Sequence, residues 1–148
     1  MVQHTVAGFQ GQAQDKGIKL QLRLPFPPLE VEADPDRLTQ IISNLLHNAV
    51  AHTPAGGTIT VEVEARGKEV AVRVSDTGPG IPEEALPRVF DRFFRAEASR
   101  SRQSGGSGLG LAIVKALVEL HGGMVEAKNR SSGGAEFRFL LPKLETKG

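Results

Sequence analysis

The chain of 148 residues contains no cysteine, tryptophan or tyrosine, and it has no long apolar segment. Without cysteine it can form neither a disulfide nor a thiolate metal site. Its apolar runs fall short of the roughly 18 residues that a membrane-spanning helix needs, and its start has no signal-peptide pattern. A net charge of +1 gives no general attraction to nucleic acid or to anionic lipid. These absences favour a soluble globular protein with no nucleic-acid partner, and the lack of cysteine fits a reducing compartment.

The composition is that of one domain with a hydrophobic core, since 39% of the residues are hydrophobic and 24% are charged. Apolar residues at steps of three and four predict a helix from Asp34-Pro35 to Pro54 and another from Leu109 to Gly122. Alternating apolar residues predict strands over 18–24, 59–63, 70–74, 124–127 and 135–140. Helices interleaved with hairpins predict an α+β fold, a two-layer α/β sandwich whose mixed, mostly antiparallel sheet carries helices on one face.

The start of the chain is less regular than the rest. Its apolar residues have roughly helical spacing but are interrupted by Gly8 and Gly11, and a turn is predicted at Asp15–Gly17. We therefore predict that residues 1–16 are the end of a preceding helix or a linker and that the domain covers residues 17–148. Pro82 followed by two glutamates predicts a further short helix.

The first predicted long helix carries polar residues beside its apolar stripe. Asn44, Asn48 and His52 are spaced four residues apart and therefore lie on one face of that helix. An asparagine carbonyl is a neutral oxygen ligand that suits Mg²⁺ and leaves the charge of the cation for phosphate groups. A lone asparagine inside a helix is more often solvated or hydrogen-bonded locally, but two at this spacing favour a binding role.

Asp76 comes just after the strand predicted over 70–74. An ionised aspartate only accepts hydrogen bonds, so it can hold an exocyclic amine such as that of adenine. Gly78 and Gly80 allow positive φ or a close approach of the backbone to a flat base. The sequence Asp-Thr-Gly-Pro-Gly is equally typical of an ordinary turn, so this segment alone does not decide between the two interpretations.

Three glycines, Gly106, Gly108 and Gly110, precede the second long helix. Exposed backbone N–H groups at the positive end of a helix suit phosphate oxygens. The pattern matches neither the P-loop nor the dinucleotide fingerprint. A flexible linker with a helix cap is the alternative, but the interleaved Leu109 and Leu111 argue against a plain linker.

The segment Phe90–Arg95 combines three phenylalanines with two arginines and precedes the glycine-rich region. It is either a core patch beneath the following loop or a docking surface from which Arg92 and Arg95 reach phosphate groups. The intervening residues 96–107 have no apolar period, and a connection of this length usually has a function.

Together these four segments resemble the N, G1, F and G2 boxes of the catalytic, ATP-binding domain of bacterial sensor histidine kinases, in family order and spacing. That domain has the Bergerat-type fold, which DNA gyrase and MutL share. The resemblance extends from about Ile18 to Leu141.

The resemblance implies an ATP site with Mg²⁺, in which Asn48 binds the metal, Asn44 supports it and Asp76 binds the amine of adenine. Arg95 would approach the phosphates as a catalytic residue, and residues 96–107 would form the ATP lid. The other residues implied for the nucleotide site are His52, Gly78, Gly80, Ile81, Arg92, Gly106, Gly108, Leu109, Gly110 and Leu111.

The chain departs from the family pattern after the N box. Ala51 and His52 stand where the family often has lysine and tyrosine, so a lysine that contacts phosphate is missing and an imidazole replaces the phenol beside adenine. Relatives that hydrolyse ATP typically have a glutamate as general base at the position of Asn44. An amide cannot accept that proton, so this site is suited to phosphoryl transfer rather than hydrolysis.

The phosphoacceptor histidine of the family is not found, because the surroundings of His4, His47 and His121 do not match its motif. The resemblance therefore implies a protein-histidine kinase domain, a monomer by itself, that acts on a separate dimerisation and phosphoacceptor domain of the same kinase. A response regulator would be the further partner, and the membrane would be reached only through upstream segments. The alternatives are an anti-sigma-type serine kinase, an ATPase and a non-catalytic nucleotide-binding module.

Overall fold

The computed structural model describes residues 2–25, 31, 33–91 and 110–143. Along the chain these residues form α1 (Val2–Ala7), α2 (Gln10–Lys16), β1 (Lys19–Arg23), α3 (Pro35–His52), β2 (Thr58–Arg66), β3 (Glu69–Asp76), a short 3-10 helix (Leu86–Arg88), α4 (Gly110–Leu120), β4 (Met124–Asn129) and β5 (Ala135–Pro142).

The five strands form one mixed sheet in the order β1-β2-β3-β5-β4. β1 runs parallel to β2, because α3 connects them, and the other three pairings are antiparallel. The predicted hairpin of β2 and β3 is present, with Val61 opposite Val74 and Val63 opposite Val72. The predicted mixed, mostly antiparallel sheet is therefore confirmed.

Helix α3 forms where its capping residues and apolar period predict it. The Asp34 side chain accepts a hydrogen bond from the Asp36 N–H at 3.0 Å, and Pro35 occupies the first turn. At the other end the Thr53 backbone is extended, and its hydroxyl donates to the Ala49 carbonyl at 2.7 Å. The apolar stripe is buried and consists of Leu38, Ile41, Ile42, Leu45, Leu46 and Ala49.

The core lies between the helices and one face of the sheet, with Phe139 and Ile59 from the strands among its largest fully buried side chains. α3 and α4 pack against each other over this face. Asp76 continues the alternation of Val70, Val72 and Val74 on β3, so it lies on the side of the sheet that faces the helices.

The opposite face of the sheet is charged. Arg73 pairs with Glu62 and with Glu64, the latter at 3.1 Å, and Arg138 pairs with Glu126. Burial lowers the pKa of Arg73, but the hydrogen bond to Glu62 and the surrounding carboxylates more than offset this, so the pKa of Arg73 lies above its ordinary value. Charged pairs of this kind favour a face exposed to water over one covered by a second helical layer, which fits the predicted two-layer sandwich.

The structure differs from the sequence prediction at two places. The predicted helix at Pro82 is a turn, in which the Ala85 N–H donates to the Pro82 carbonyl at 2.9 Å, followed by the 3-10 helix. Pro87 explains this, since it has no N–H and its ring would clash with the carbonyl of Glu83 in an α-helix. The helical start breaks after Ala7, whereas Gly11 and Lys16 belong to α2, which ends at Gly17 (φ +78°).

Residues 2–16 contribute to the same core as the rest of the described chain. Val6 and Ala13 are buried in it, and α1 contacts α3. The division between residues 16 and 17 stays a prediction. In the described part of the chain, no helix has both the length and the apolar character that crossing a membrane requires.

Replacing Val6 by alanine tests whether residues 1–16 stabilise the domain. The substitution removes two buried methyl groups, so we expect the free energy of unfolding to fall by about 2 kcal/mol. Urea denaturation measures the change, and His4→Ala, at an exposed position of the same helix, is the control. Equal stability of the two variants would mean that the first helices are not part of the folded unit.

Candidate functional site

The fold brings the N, G1 and G2 segments together along the second half of α3, from Asn44 near its middle to His52 at its end. The Asn44 amide donates to the carbonyl of Gly110 at 3.4 Å, which joins the N segment to the start of α4. A Cβ built on Gly78 would lie 2.6 Å from the carbonyl oxygen of His52, so the G1 segment touches the end of α3. Three segments that are distant in sequence therefore form one site.

The polar face of α3 has the predicted composition, with Asn44, Asn48 and His52 all half-buried. Among the described residues the Asn48 side chain has no hydrogen-bond partner, whereas the His52 ring nitrogen Nδ1 lies 2.8 Å from the Asn48 carbonyl. The Asn48 amide is thus free to bind a ligand. His52 is held against its own helix.

Asp76 is 3% exposed, and its two carboxylate oxygens differ. Oδ1 accepts hydrogen bonds from the backbone N–H of Gly78 at 2.9 Å and from that of Ala135 at 3.2 Å. Within the described residues Oδ2 accepts none. One oxygen therefore fixes the side chain, and the other is available to a hydrogen-bond donor such as an exocyclic amine.

The glycines after Asp76 are required by their surroundings. Any side chain at Gly78 would meet the His52 carbonyl, and Gly80 has a φ of +82°, which a residue with a side chain rarely adopts. The segment is thus a turn, and the same turn places Ile81, which is half-buried, against the core. An ordinary turn and a segment that shapes a binding site, the two interpretations of the sequence, are therefore compatible.

Several predicted site residues lie outside the described residues. These are Arg92, Arg95, Gly106, Gly108 and Leu109, together with the lid segment 96–107. Of the G2 segment, Gly110 is the exposed first residue of α4 and Leu111 packs against the core. Of the F segment, Phe90 meets the buried Phe137 edge to face at 6.0 Å, so this phenylalanine belongs to the core.

A shallow depression of about 560 Å³ adjoins the end of α3. The Lys16 ammonium group donates to the carbonyls of Val50 at 2.6 Å and of Ala51 at 3.2 Å, where it complements the negative end of the helix. The residues that line the depression are Lys16, Ala51, His52, Thr53, Pro54 and Pro79.

Sequence reasoning missed the turn between β4 and β5, which it treated only as a connection. Asn129 hydrogen-bonds both backbone groups of Ile81, Arg130 donates to the Asp76 carbonyl at 3.1 Å, and Ala135 donates to the Asp76 carboxylate. The asparagine two residues after the strand predicted over 124–127 and the two glycines before Ala135 were the available signals. Neither indicates by itself which segment the turn contacts.

No group of three or more His, Asp or Glu side chains suited to a metal ion occurs in the described part of the chain. Mg²⁺ that is bound together with phosphate groups usually has only one or two protein ligands. The free amide of Asn48 fits that mode of binding.

The chain also matches a known protein family. A family model described as histidine kinase-, DNA gyrase B-, and HSP90-like ATPase matches residues 33–145. Sensor protein KdpD of Clostridium acetobutylicum is 44% identical over 128 residues, which cover 86% of this chain and 14% of KdpD. Signal transduction histidine-protein kinase BaeS of Escherichia coli is 41% identical over 139 residues, 93% of this chain and 30% of BaeS. The chain thus spans less than a third of either relative.

Solved structures show the same architecture. The mycobacterial sensor histidine kinase MprB superposes with a TM-score of 0.86 at 30% identity, over 98% of this chain and 95% of that one. Full-length ShkA in complex with AMPPNP gives 0.85 at 32% identity, over 99% of this chain and 30% of ShkA. ThkA in complex with the response regulator protein TrrA gives 0.80 at 30% identity, over 97% and 39%.

Two substitutions at Asp76 separate the roles of its oxygens. Asp76→Ala leaves the N–H groups of Gly78 and Ala135 without their acceptor, so we expect the free energy of unfolding without nucleotide to fall by about 2 kcal/mol. Asp76→Asn keeps an acceptor oxygen for both and should retain most of the stability. Urea denaturation of the two variants measures the difference, and equal loss in both would contradict the structural role of Oδ1.

Proposed function

The chain belongs to the family of histidine kinase-, DNA gyrase B- and HSP90-like ATPases, and from this membership we propose that it is the catalytic domain of a sensor histidine kinase. It would transfer the γ-phosphoryl group of Mg-ATP to a histidine on a separate domain. The observation that carries the proposal is that three segments predicted to bind a nucleotide meet along the second half of α3, through the contact of Asn44 with Gly110 and that of His52 with Gly78.

The base would be recognised by Asp76. Its Oδ2 can accept a hydrogen bond from the exocyclic amine of adenine but would face the carbonyl of guanine unfavourably. Gly78 and Gly80 let the loop backbone pack closely against the His52 carbonyl and against Asn129, which holds that backbone next to Asp76. The complex of the similar kinase ShkA with AMPPNP supports an adenine nucleotide as the ligand.

The phosphate end would involve α3 and the start of α4. The side-chain carbonyl oxygen of Asn48 would hold Mg²⁺, whose charge neutralises the phosphates, and backbone N–H groups at the start of α4 would bind phosphate oxygens. Arg92 and Arg95 remain proposed phosphate contacts, as do Gly106, Gly108 and Leu109. The amide of Asn44 cannot remove a proton from water, which favours transfer to a positioned nucleophile over hydrolysis.

The proposed partners follow from the relatives. The acceptor would be the dimerisation and phosphoacceptor domain of the same kinase. A response regulator would receive the phosphoryl group next, a partner that the complex of the similar kinase ThkA with the response regulator TrrA supports. We propose that the domain acts in the cytoplasm and is a monomer without its acceptor domain.

A phosphotransfer assay tests the proposed reaction. We expect the chain with Mg-ATP to label a supplied helical hairpin that bears the family's phosphoacceptor histidine, and not to label itself, because its described histidines lie outside that motif. Acid-labile label on the hairpin identifies phosphohistidine. Label on a serine substrate would indicate a serine kinase, steady phosphate release an ATPase, and binding without transfer a non-catalytic module.

Substitution of Asn48 by alanine tests the metal ligand. We expect the affinity for ATP in the presence of Mg²⁺ to fall about tenfold, the equivalent of one lost polar contact, while binding without metal changes little. Titration calorimetry with and without EDTA measures both. His47→Ala, at the exposed neighbouring position, is the control, and an equal loss with and without metal would remove Asn48 from the metal site.

A further inference from the structure

The connection between β4 and β5 is hydrogen-bonded to the loop that follows Asp76, and we call the pair of hydrogen bonds between Asn129 and Ile81 the clasp. The side-chain oxygen Oδ1 of Asn129 accepts a hydrogen bond from the backbone N–H of Ile81, and the side-chain nitrogen Nδ2 of Asn129 donates to the backbone carbonyl of Ile81, both at 2.7 Å. One side chain thus satisfies both backbone groups of a single residue. This pair of hydrogen bonds requires a donor and an acceptor at amide spacing, which asparagine has and aspartate, serine and alanine lack.

The same turn also holds Asp76. Arg130 donates to the Asp76 carbonyl, and Ala135 donates to the carboxylate. Gly134 has a φ of +90°, and a Cβ there would lie 1.9 Å from the Asp76 carbonyl oxygen, so the two backbones are in close contact. The turn therefore contacts both ends of the segment 76–81.

The contacts of the turn with Asp76 and with Ile81 fix the distance between the Asp76 carboxylate and the loop backbone at residues 80 and 81. Asp76 supplies the free oxygen Oδ2, and Gly80 and Ile81 supply the backbone that follows it. Gly80 is itself pressed against Asn129, whose Oδ1 would lie 2.8 Å from a Cβ at that position. With both ends held by one turn, the carboxylate and the loop backbone cannot move apart independently.

The clasp lies at the surface, since Asn129 is exposed. Water can replace hydrogen bonds at such a position, so their loss changes the free energy of unfolding little. The loop would nevertheless lose the contacts that hold it at one distance from Asp76. If the clasp positions the loop, its loss should change nucleotide binding; if it only stabilises the fold, its loss should change the free energy of unfolding.

We propose that Asn129 is a positioning residue that sets the selectivity of the site for adenine over guanine. The inference rests on the proposed function, in which Asp76 accepts the adenine amine. Discrimination against guanine requires that its carbonyl be forced against the carboxylate, and a loop free to shift would let guanine avoid that contact. Loss of the clasp should therefore weaken adenine binding more than guanine binding.

The test compares ADP and GDP by titration calorimetry, which is suited to a chain without tryptophan or tyrosine. Asn129→Ala removes both hydrogen bonds, and Asn129→Asp keeps the acceptor but sets a carboxylate against the Ile81 carbonyl. Ser131→Ala, an exposed position in the same turn, is the matched control. We expect the ratio of ADP to GDP affinity to fall about tenfold in both Asn129 variants and to stay at the wild-type value in the control.

Thermal unfolding without nucleotide accompanies the titrations and should change little in either Asn129 variant. An unchanged affinity ratio, an equal loss for both nucleotides, or unfolding of both variants would overturn the positioning role. If only Asn129→Ala fails to fold, the ratio of ADP to GDP affinity of Asn129→Asp tests the positioning role. Absence of ADP binding by the wild-type chain would instead refute the proposed function, and this inference with it.

Discussion

The division of one carboxylate between a structural role and a proposed ligand-binding role is the constraint around which the candidate site is arranged. Asp76 ends β3 on the side of the sheet that faces the helices, where an unsatisfied charge would be costly. Two backbone N–H groups, from the turn that follows it and from the start of β5, satisfy Oδ1. The turn after β3 and the turn before β5 must therefore both approach Asp76 closely, and glycines at 78 and 134 permit that approach.

Helix α3 connects this carboxylate to the rest of the site. Its apolar stripe anchors it in the core, so the polar residues beside the stripe are held at fixed positions relative to the sheet. Its last carbonyls are satisfied by Thr53 and by Lys16 from α2, next to His52. A change in the helices before β1 would therefore reach the end of α3 through direct contacts.

Within the ATPase family, Asn44 is the residue on which the proposed distinction between phosphoryl transfer and hydrolysis depends. The same fold serves for hydrolysis and for transfer among the relatives it resembles, and the proposed distinction depends on an amide where a carboxylate would activate water. In this chain that amide also bonds to the first residue of α4. The residue thus joins two of the segments of the proposed nucleotide site.

Local sequence patterns determined α3, the hairpin of β2 and β3, α4 and the closing strands, because apolar period and capping residues act over a few residues. They also determined which residue types the site contains, from Asn44 to Asp76. They were insufficient where a later residue intervened, as Pro87 did at the predicted helix after Pro82. Only the tertiary structure decided that Asn129 meets Ile81, since these residues are 48 positions apart and no periodic pattern encodes their contact. It also decided that the two oxygens of Asp76 differ, because their difference depends on which backbone N–H groups the fold brings to them.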